Sequence, residues 1–163
     1  MKKILLSVLI LAALVCIKDA SAQIFIGARA GYKSDDDGQY IKAAPVLGYK
    51  LFIVRAGVFP SVSFDWMKNA PNKYTYGGGA FTQLDLLFNV FAHGEFEFIN
   101  IETKNRITNN PERVWIDAFH VGAGYRHRLN RNLSLSLTVL YDIRHDERNP
   151  SGPFSFRIGV GLE

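Results

Sequence analysis

The residues best suited to proton-transfer chemistry are His120, Asp142 and Ser136. Each falls on the polar side of an alternating segment, and a histidine beside a carboxylate or a hydroxyl group can act as a general base. Their spacing along the sequence does not decide whether they meet in the fold. The alternative, which we favour, is that His120 belongs to a polar network in the protein interior.

Three further segments have compositions that invite a cofactor. The run from Asp35 to Gly38 holds three adjacent acids, but a calcium loop spaces its ligands at alternate positions, so we predict a solvated loop tip. No lysine and no helix start follow the triple glycine at 77–79, which favours a flexible loop over a phosphate cradle. Cys16 is the only cysteine, so no cysteine cluster can hold a metal. We predict no cofactor, no metal site and no catalytic residue.

The first 22 residues have the composition of a secretory signal peptide. Two lysines precede an apolar run at 4–17, and an A-x-A triplet at 20–22 forms a cleavage site ahead of Gln23. A membrane anchor would need a longer apolar run, and a lipoprotein signal ending at Cys16 would need a small residue in place of Val15. We therefore predict a signal peptide at 1–22 and one mature domain at 23–163.

The charge and hydropathy of the chain exclude two classes of protein. The net charge of +4 includes the lysines of the predicted signal peptide, so the mature domain is closer to neutral. It contains no basic run with interleaved aromatic residues, and nucleic acid is therefore not predicted as a partner. After the signal peptide, no apolar run is long enough for a membrane helix.

The segment at 129–144 shows the clearest pattern in the chain. Apolar side chains occupy every second position there: Leu133, Leu135, Leu137, Val139, Tyr141 and Ile143. A period of two residues is typical of a β-strand with one apolar and one polar face. The pattern continues for about eleven residues, which is the length that a tilted strand needs to cross a bilayer.

The same unit recurs along the mature domain. We predict eight strands, at 23–33, 40–49, 52–66, 80–92, 95–103, 114–129, 129–144 and 154–163. Long loops alternate with tight turns, which include His93-Gly94 and the asparagine turn at 130–132. Three irregularities are expected: a bulge or break at Pro45, a β-bulge near Phe98, and an acid, Asp117, on an apolar face. The sequence therefore predicts an all-β fold, an eight-stranded antiparallel up-and-down transmembrane β-barrel.

The polar faces carry charges of both signs among glycine, serine and alanine. A narrow barrel needs small side chains inside and needs its buried charges paired. We therefore predict an interior charge network made of Arg29, Arg55, Asp65, Asp85, Arg126, Asp142, Arg144 and Arg157. The polar faces also include Lys42, Arg128, Glu95, Glu97 and Glu102.

Aromatic residues gather at the ends of the apolar faces, as expected for the two interfacial girdles of a membrane barrel. At the long-loop end we predict Tyr32, Trp66, Trp115, Tyr141 and Phe154. At the short-turn end we predict Tyr49, Phe52, Phe96 and Tyr125. In the alternative interpretation, these residues form the core of a soluble barrel.

With these features the chain resembles the small eight-stranded outer-membrane β-barrels, such as the OmpA transmembrane domain and OmpX. The resemblance rests on the signal peptide, the strand number, the loop alternation and the terminal strand PFSFRIGVGLE. The asparagine turn also resembles that of porin-like barrels of Bacteroidetes. Family members commonly end on an aromatic residue, whereas this chain ends in Leu162-Glu163. The resemblance implies a monomer in the outer membrane of a Gram-negative bacterium, with outer-membrane lipid and the barrel-insertion machinery as partners.

The function expected from this resemblance is non-enzymatic. An eight-stranded barrel filled by side chains is too narrow for an open pore, so we expect a role in membrane integrity or in surface contacts, with the ligand of the loops unknown. One alternative is an enzyme that modifies lipid A, although none of the four histidines begins the His-x-Ser pair of the deacylase type. The other is a soluble periplasmic, lipocalin-like barrel that binds a ligand.

Overall fold

The computed structural model describes residues 23–34, 38–68, 72–104, 111–146, 148–149 and 151–162. The predicted signal peptide, the acids at 35–37 and the terminal Glu163 lie outside the described residues. Within the described part of the chain, no helix is long and apolar enough to cross a bilayer.

Eight antiparallel strands form a closed barrel, so the predicted fold class is confirmed. Each strand pairs with the next, and the first pairs with the last. Because no strand has an unpaired edge, the backbone hydrogen bonds of the wall form between neighbouring strands, apart from a gap at Pro45 described below. The strands are β1 Gln23–Ser34, β2 Gly38–Leu51, β3 Val54–Met67, β4 Lys73–Asp85, β5 Val90–Lys104, β6 Pro111–Arg128, β7 Leu133–Asp142 and β8 Phe154–Leu162.

The turns at 52–53, 86–89 and 129–132 lie at one end of the barrel, the short-turn end, and the other connections lie at the long-loop end. The predicted turn at His93-Gly94 is wrong, because both residues pair within β5. The chain instead reverses through a short 3-10 turn, Leu87–Asn89, which the Leu86 N–H closes by donating to the Val90 carbonyl at 2.7 Å. The segment at 86–90, LLFNV, contains no glycine or proline, and its composition therefore predicts a strand.

The triple glycine at 77–79 is part of β4, so the prediction of a flexible loop there is wrong. A Cβ on Gly77 would lie 2.1 Å from the Phe98 carbonyl oxygen, and one on Gly79 would lie 2.1 Å from that of Phe96. Strands β4 and β5 therefore approach each other too closely for side chains at these positions. The glycines serve the close packing of the barrel wall.

The predicted β-bulge near Phe98 is also wrong. The register between β5 and β6 is continuous, from Phe96 opposite Phe119 through Phe98 opposite Asp117. Consequently Ile99 and Ile101 face the interior, where they pack with Ile116 and Ala118. The same register turns Glu102 outward, so the prediction that Glu102 lies on a polar, inward face is wrong.

The expected break at Pro45 is observed as an interruption of the β2–β3 ladder, without an inserted residue. Pairing stops after Ala43 and Val62 and resumes, in the same register, at Leu47 and Val58. Within the gap Pro45 lies level with Pro60, and proline has no N–H to donate. The missing hydrogen bonds follow from the two prolines facing each other.

We predict that Gly77→Ala destabilises the barrel, because the new methyl group would meet a backbone oxygen that cannot move alone. Overpacking of this kind costs about 1–3 kcal/mol. Gly94→Ala is the matched control, since its Cβ would meet only Thr82 Cγ2, at 3.7 Å. The free energy of unfolding in urea, followed by tryptophan fluorescence, measures both. Equal stabilities of the two variants would contradict this account of the triple glycine.

Candidate functional site

The distribution of polarity in this barrel is inverted relative to a soluble protein. Large apolar side chains are exposed along the outer face of every strand, among them Ile26, Leu47, Val58, Phe98, Leu137 and Ile158. Charged side chains are buried inside. Two features therefore require a functional explanation: the interior charge network and the apolar outer surface.

Glu95, on β5, is the centre of the interior network, and its side chain is fully buried. Its carboxylate accepts hydrogen bonds from Arg29 Nη1 of β1, at 2.8 Å, and from Arg157 Nη1 of β8. His93 Nε2 lies 3.2 Å from the same carboxylate. One acid thus ties three strands together across the barrel, and its burial is compensated by two guanidinium groups.

Glu97, two residues further along β5, has a second set of partners. Lys42 Nζ donates to its carboxylate oxygens at 2.5 Å, and the Ser61 hydroxyl donates to it at 2.7 Å. Both Lys42 and Glu97 are buried. Because side chains two apart on a strand point to the same face, the short segment Glu95-Phe96-Glu97 places two carboxylates side by side in the interior.

A further ion cluster lies toward the short-turn end. Asp85 accepts from Arg55 Nε at 3.2 Å and from Arg126 Nη1 at 2.5 Å. Gln83 also accepts from Arg126, and its amide nitrogen lies 3.0 Å from His93 Nδ1. Through Gln83 and His93, this cluster is continuous with the network around Glu95.

Aromatic rings complete the environment of the interior cations. The Arg29 guanidinium lies 4.5 Å from the ring centres of both Phe59 and Phe81. The Arg126 guanidinium lies 4.5 Å from the ring centre of Phe91. A desolvated cation over an aromatic face is stabilised by the ring quadrupole, so the apolar part of the interior also helps to hold the charges.

The described part of the loop between β7 and β8 packs against the long-loop end of the barrel. Asp142 accepts from the Phe119 N–H at 3.2 Å, and Asn149 Nδ2 donates to it at 3.4 Å. Asn149 and Ser151 are both buried although they belong to the loop. At the exposed tip, hydrogen bonds from Arg148 lower the pKa of Asp146 to about 2. The loop therefore folds onto the barrel mouth.

The structure joins most of the residues predicted for the interior network, but not all of them. Asp142 lies at the loop end, and Asp65 is half-buried opposite Lys73 near the long loops. The clusters described above contain Arg29, Arg55, Asp85, Arg126 and Arg157. Sequence reasoning omitted the central acids and Lys42, although all three were on predicted polar faces. The signal that could have found them is the Glu-x-Glu spacing inside an apolar strand.

The prediction that Arg144 belongs to the interior charge network is wrong. Arg144 follows the end of β7, its side chain is 65% exposed, and its Nη1 lies 2.8 Å from Asp117 Oδ2. Asp117, the acid predicted on an apolar face, is thus paired on the outer surface near the long-loop end. A second outward-facing pair lies near that end, where Arg113 Nη2 is 3.8 Å from Glu102 Oε2.

The predicted girdle aromatics mostly lie on the outer face near the strand ends. Eight of them are exposed: Tyr32, Trp66, Trp115, Tyr141, Phe154, Tyr49, Phe52 and Tyr125. Phe96 is the exception, because the shift of the β4–β5 turn moves it to mid-strand, opposite Ala80 and Phe119. Sequence reasoning missed Tyr74 and Tyr76, which extend the girdle beside Trp115 and beneath Arg113.

The candidate general base His120 is buried inside the network. It lies opposite Asp142 in the register, and its Nδ1 is 3.9 Å from Glu95 Oε1, with no hydrogen-bond partner. Ser136 lies six positions from Asp142 along β7, about 20 Å away, and pairs with Arg126. His120 and Asp142 are therefore neighbours across the β6–β7 pair, whereas Ser136 is distant from both, and His120 is only 1% exposed.

One group of side chains has a geometry that could suit a metal ion. Single ligand atoms of Glu95, Glu97 and His120 lie within 4.8 Å of one another. The two carboxylates already accept hydrogen bonds from Arg29, Arg157 and Lys42. Three cations at the same oxygens would repel a metal ion, so the group is better described as the acidic half of an ion network.

Comparisons with known proteins show the fold. No protein-family model matches the sequence, and no curated protein matches it. The crystal structure of Neisserial surface protein A matches with a TM-score of 0.60 and 13% identity, over 87% of this chain and 98% of that one. The N-terminal β-barrel domain of Pseudomonas aeruginosa OprF matches with a TM-score of 0.52 and 14% identity, over 87% and 98%. This chain shares the fold of those barrels.

We predict that Glu95→Gln destabilises the barrel by about 3–5 kcal/mol, since it leaves two buried guanidinium groups without their counter-charge. Glu102→Gln is the matched control, because its pair with Arg113 is long and partly exposed, and such pairs contribute about 0–1 kcal/mol. Urea unfolding of the refolded protein measures both. Similar stabilities of the two variants would show that Glu95 does not hold the interior together.

Proposed function

We propose that this protein is an integral outer-membrane β-barrel with a closed interior, which acts by its presence in the membrane or by contacts at its long-loop end. One observation carries the proposal, namely the inverted polarity of the wall. Val58 and Leu137 are 56% and 52% exposed, whereas Glu95 and Glu97 are 1% and 0% exposed. A bilayer is the solvent that favours this arrangement, because it removes the outer apolar surface from water.

The soluble alternative would need the opposite arrangement. A lipocalin-like barrel holds its ligand in an interior cavity and presents polar side chains to water. Here, the interior near Phe25 and Arg29 contains a cavity of about 50 Å³, which has room for only a few water molecules. A larger cavity of about 260 Å³ at the short-turn end is lined by charged side chains, among them Arg55, Asp85 and Arg126, and does not suit an apolar ligand. The apolar outer surface also far exceeds what a soluble monomer tolerates.

Neither solute transport nor catalysis is part of the proposal. The ion network fills the middle of the barrel, and Asn149 and Ser151 of the β7–β8 loop are buried at the long-loop end. A lipid-modifying enzyme would need its catalytic group at the outer surface or in a cleft, and His120 is buried away from both. These observations favour a non-enzymatic role.

The finer parts of the proposal come from the resemblance to small barrels of the OmpA and OmpX kind. They are a signal peptide at 1–22, insertion by the barrel-assembly machinery, a monomer surrounded by outer-membrane lipid, and the Bacteroidetes type of porin-like barrel. One of the structural matches is a Neisserial surface protein. We propose a comparable surface role for the loops of this chain, with a ligand that is unknown.

Membrane fractionation tests the location. We expect the mature protein in the outer-membrane fraction, released only by detergent, with a gel mobility that changes on boiling because a closed barrel resists unfolding in the detergent of the gel. Recovery in the soluble periplasm, with the same mobility before and after boiling, would overturn the proposal.

A charged substitution tests which face meets lipid. We predict that Val58→Arg destabilises the protein in lipid vesicles by about 2–4 kcal/mol, the cost of arginine near the bilayer midplane. Asn130→Arg, in the polar turn between β6 and β7, is the control and should have little effect. Urea unfolding in vesicles gives both values. An unchanged stability of the Val58 variant would mean that this face is in water.

A further inference from the structure

The short-turn end of the barrel carries an exposed apolar surface that includes Phe52 of the predicted girdle and extends beyond that girdle into the turns. It consists of the two turns that flank β3 and β4, and we call it the turn patch: Phe52, Ile53, Leu86, Leu87 and Phe88. Their exposed fractions range from 52% to 90%. The turns are adjacent, since the Asp85 N–H donates to the Ile53 carbonyl at 2.6 Å.

The backbone of the turn patch is unfavourable for the residues that it carries. Phe52 and Phe88 have φ of +52° and +58°, in the left-handed region that glycine and asparagine normally occupy. A bulky side chain at such a position is strained, and here it also points into the surroundings of the protein. Backbone strain of this kind is often found at functional sites.

The turn patch is continuous with the apolar outer wall. Val54 and Leu84, which pair with each other directly above the turns, are each 40% exposed. The charged neighbours Arg55 and Asp85 pair with each other and are directed to the interior. From the turns to the wall, the surface therefore presents apolar side chains without a charged boundary between them.

The turn on the opposite side of the barrel, at 129–132, has a different composition. Asn130, Arg131 and Asn132 are polar there, and Leu129, which is 55% exposed, is its one apolar residue. The short-turn end is therefore apolar at the turns that flank β3 and β4 and mostly polar at the turn before β7.

We infer that the turn patch is a lipid-binding surface, immersed in the interfacial region of the periplasmic leaflet, and that its occupant is phospholipid. The inference rests on the proposed function, because it extends the lipid-facing surface to the turns on one side only. The polar turn between β6 and β7 remains in water. The patch anchors the short-turn end of the barrel at a fixed depth on the β3–β4 side.

Fluorescence quenching in vesicles tests this inference. A background with Trp66→Phe and Trp115→Phe receives one tryptophan by Phe88→Trp, Val58→Trp or Asn130→Trp, and heat-dependent gel mobility shows that each variant is folded. The vesicles contain phosphatidylcholine brominated near the headgroup end of its acyl chains. We expect the Phe88 variant to lose fluorescence to brominated lipid as the Val58 variant does, and to resist acrylamide, whereas the Asn130 variant shows the reverse.

The possible results distinguish a failure of this inference from a failure of the proposed function. If the Val58 variant is quenched by lipid and the Phe88 variant is quenched only by acrylamide, the turn patch is in water and the inference is wrong, while the proposed function stands. If neither variant is quenched by lipid, both the inference and the proposed function are wrong. Phe52→Trp provides a second position in the patch and must give the same result as Phe88→Trp.

Discussion

The pairing of buried charges across the barrel is the constraint on which the other features depend. Glu95 and Glu97 receive cations from β1, β2 and β8, so strands distant in the sequence are held at fixed positions relative to one another. A buried ion pair contributes little stability relative to apolar packing, but removing one of its partners strongly destabilises the fold. The network therefore specifies one arrangement of the strands more than it adds stability.

A polar interior determines what the outside of the barrel must be. The interior divides its space between ion pairs and a few apolar clusters, such as Phe59 with Phe81, so it buries only part of the apolar surface of the chain and provides limited apolar burial to drive folding in water. The apolar side chains of the same strands, such as Leu47 and Val139, point outward instead and need an apolar solvent. A closed ladder of hydrogen bonds, with the strands paired all around, is one of the two architectures that a bilayer permits. The membrane proposal follows from these two requirements together.

With the middle of the barrel filled, the differences that matter for function lie at its ends. At the long-loop end, Asn149 and Ser151 of the β7–β8 loop are buried against the barrel, and exposed ion pairs such as Arg144 with Asp117 lie near the same end. The short-turn end is apolar on the side of β3 and β4 and polar on the side of β6 and β7. We propose that the loops make contacts with other molecules and that the turns set the depth in the membrane.

The sequence by itself determined the all-β class, the strand number and which face of most strands is apolar, because alternation is a local property. It misplaced the β4–β5 turn, since LLFNV contains no turn-forming glycine or proline. Only the tertiary structure decided that Gly77 lies in a strand, that Ile99 faces inward and that Arg144 lies outside. It also identified Glu95 as the centre of the network. These properties depend on the register between strands and on distances across the barrel, and a single strand contains no information about either.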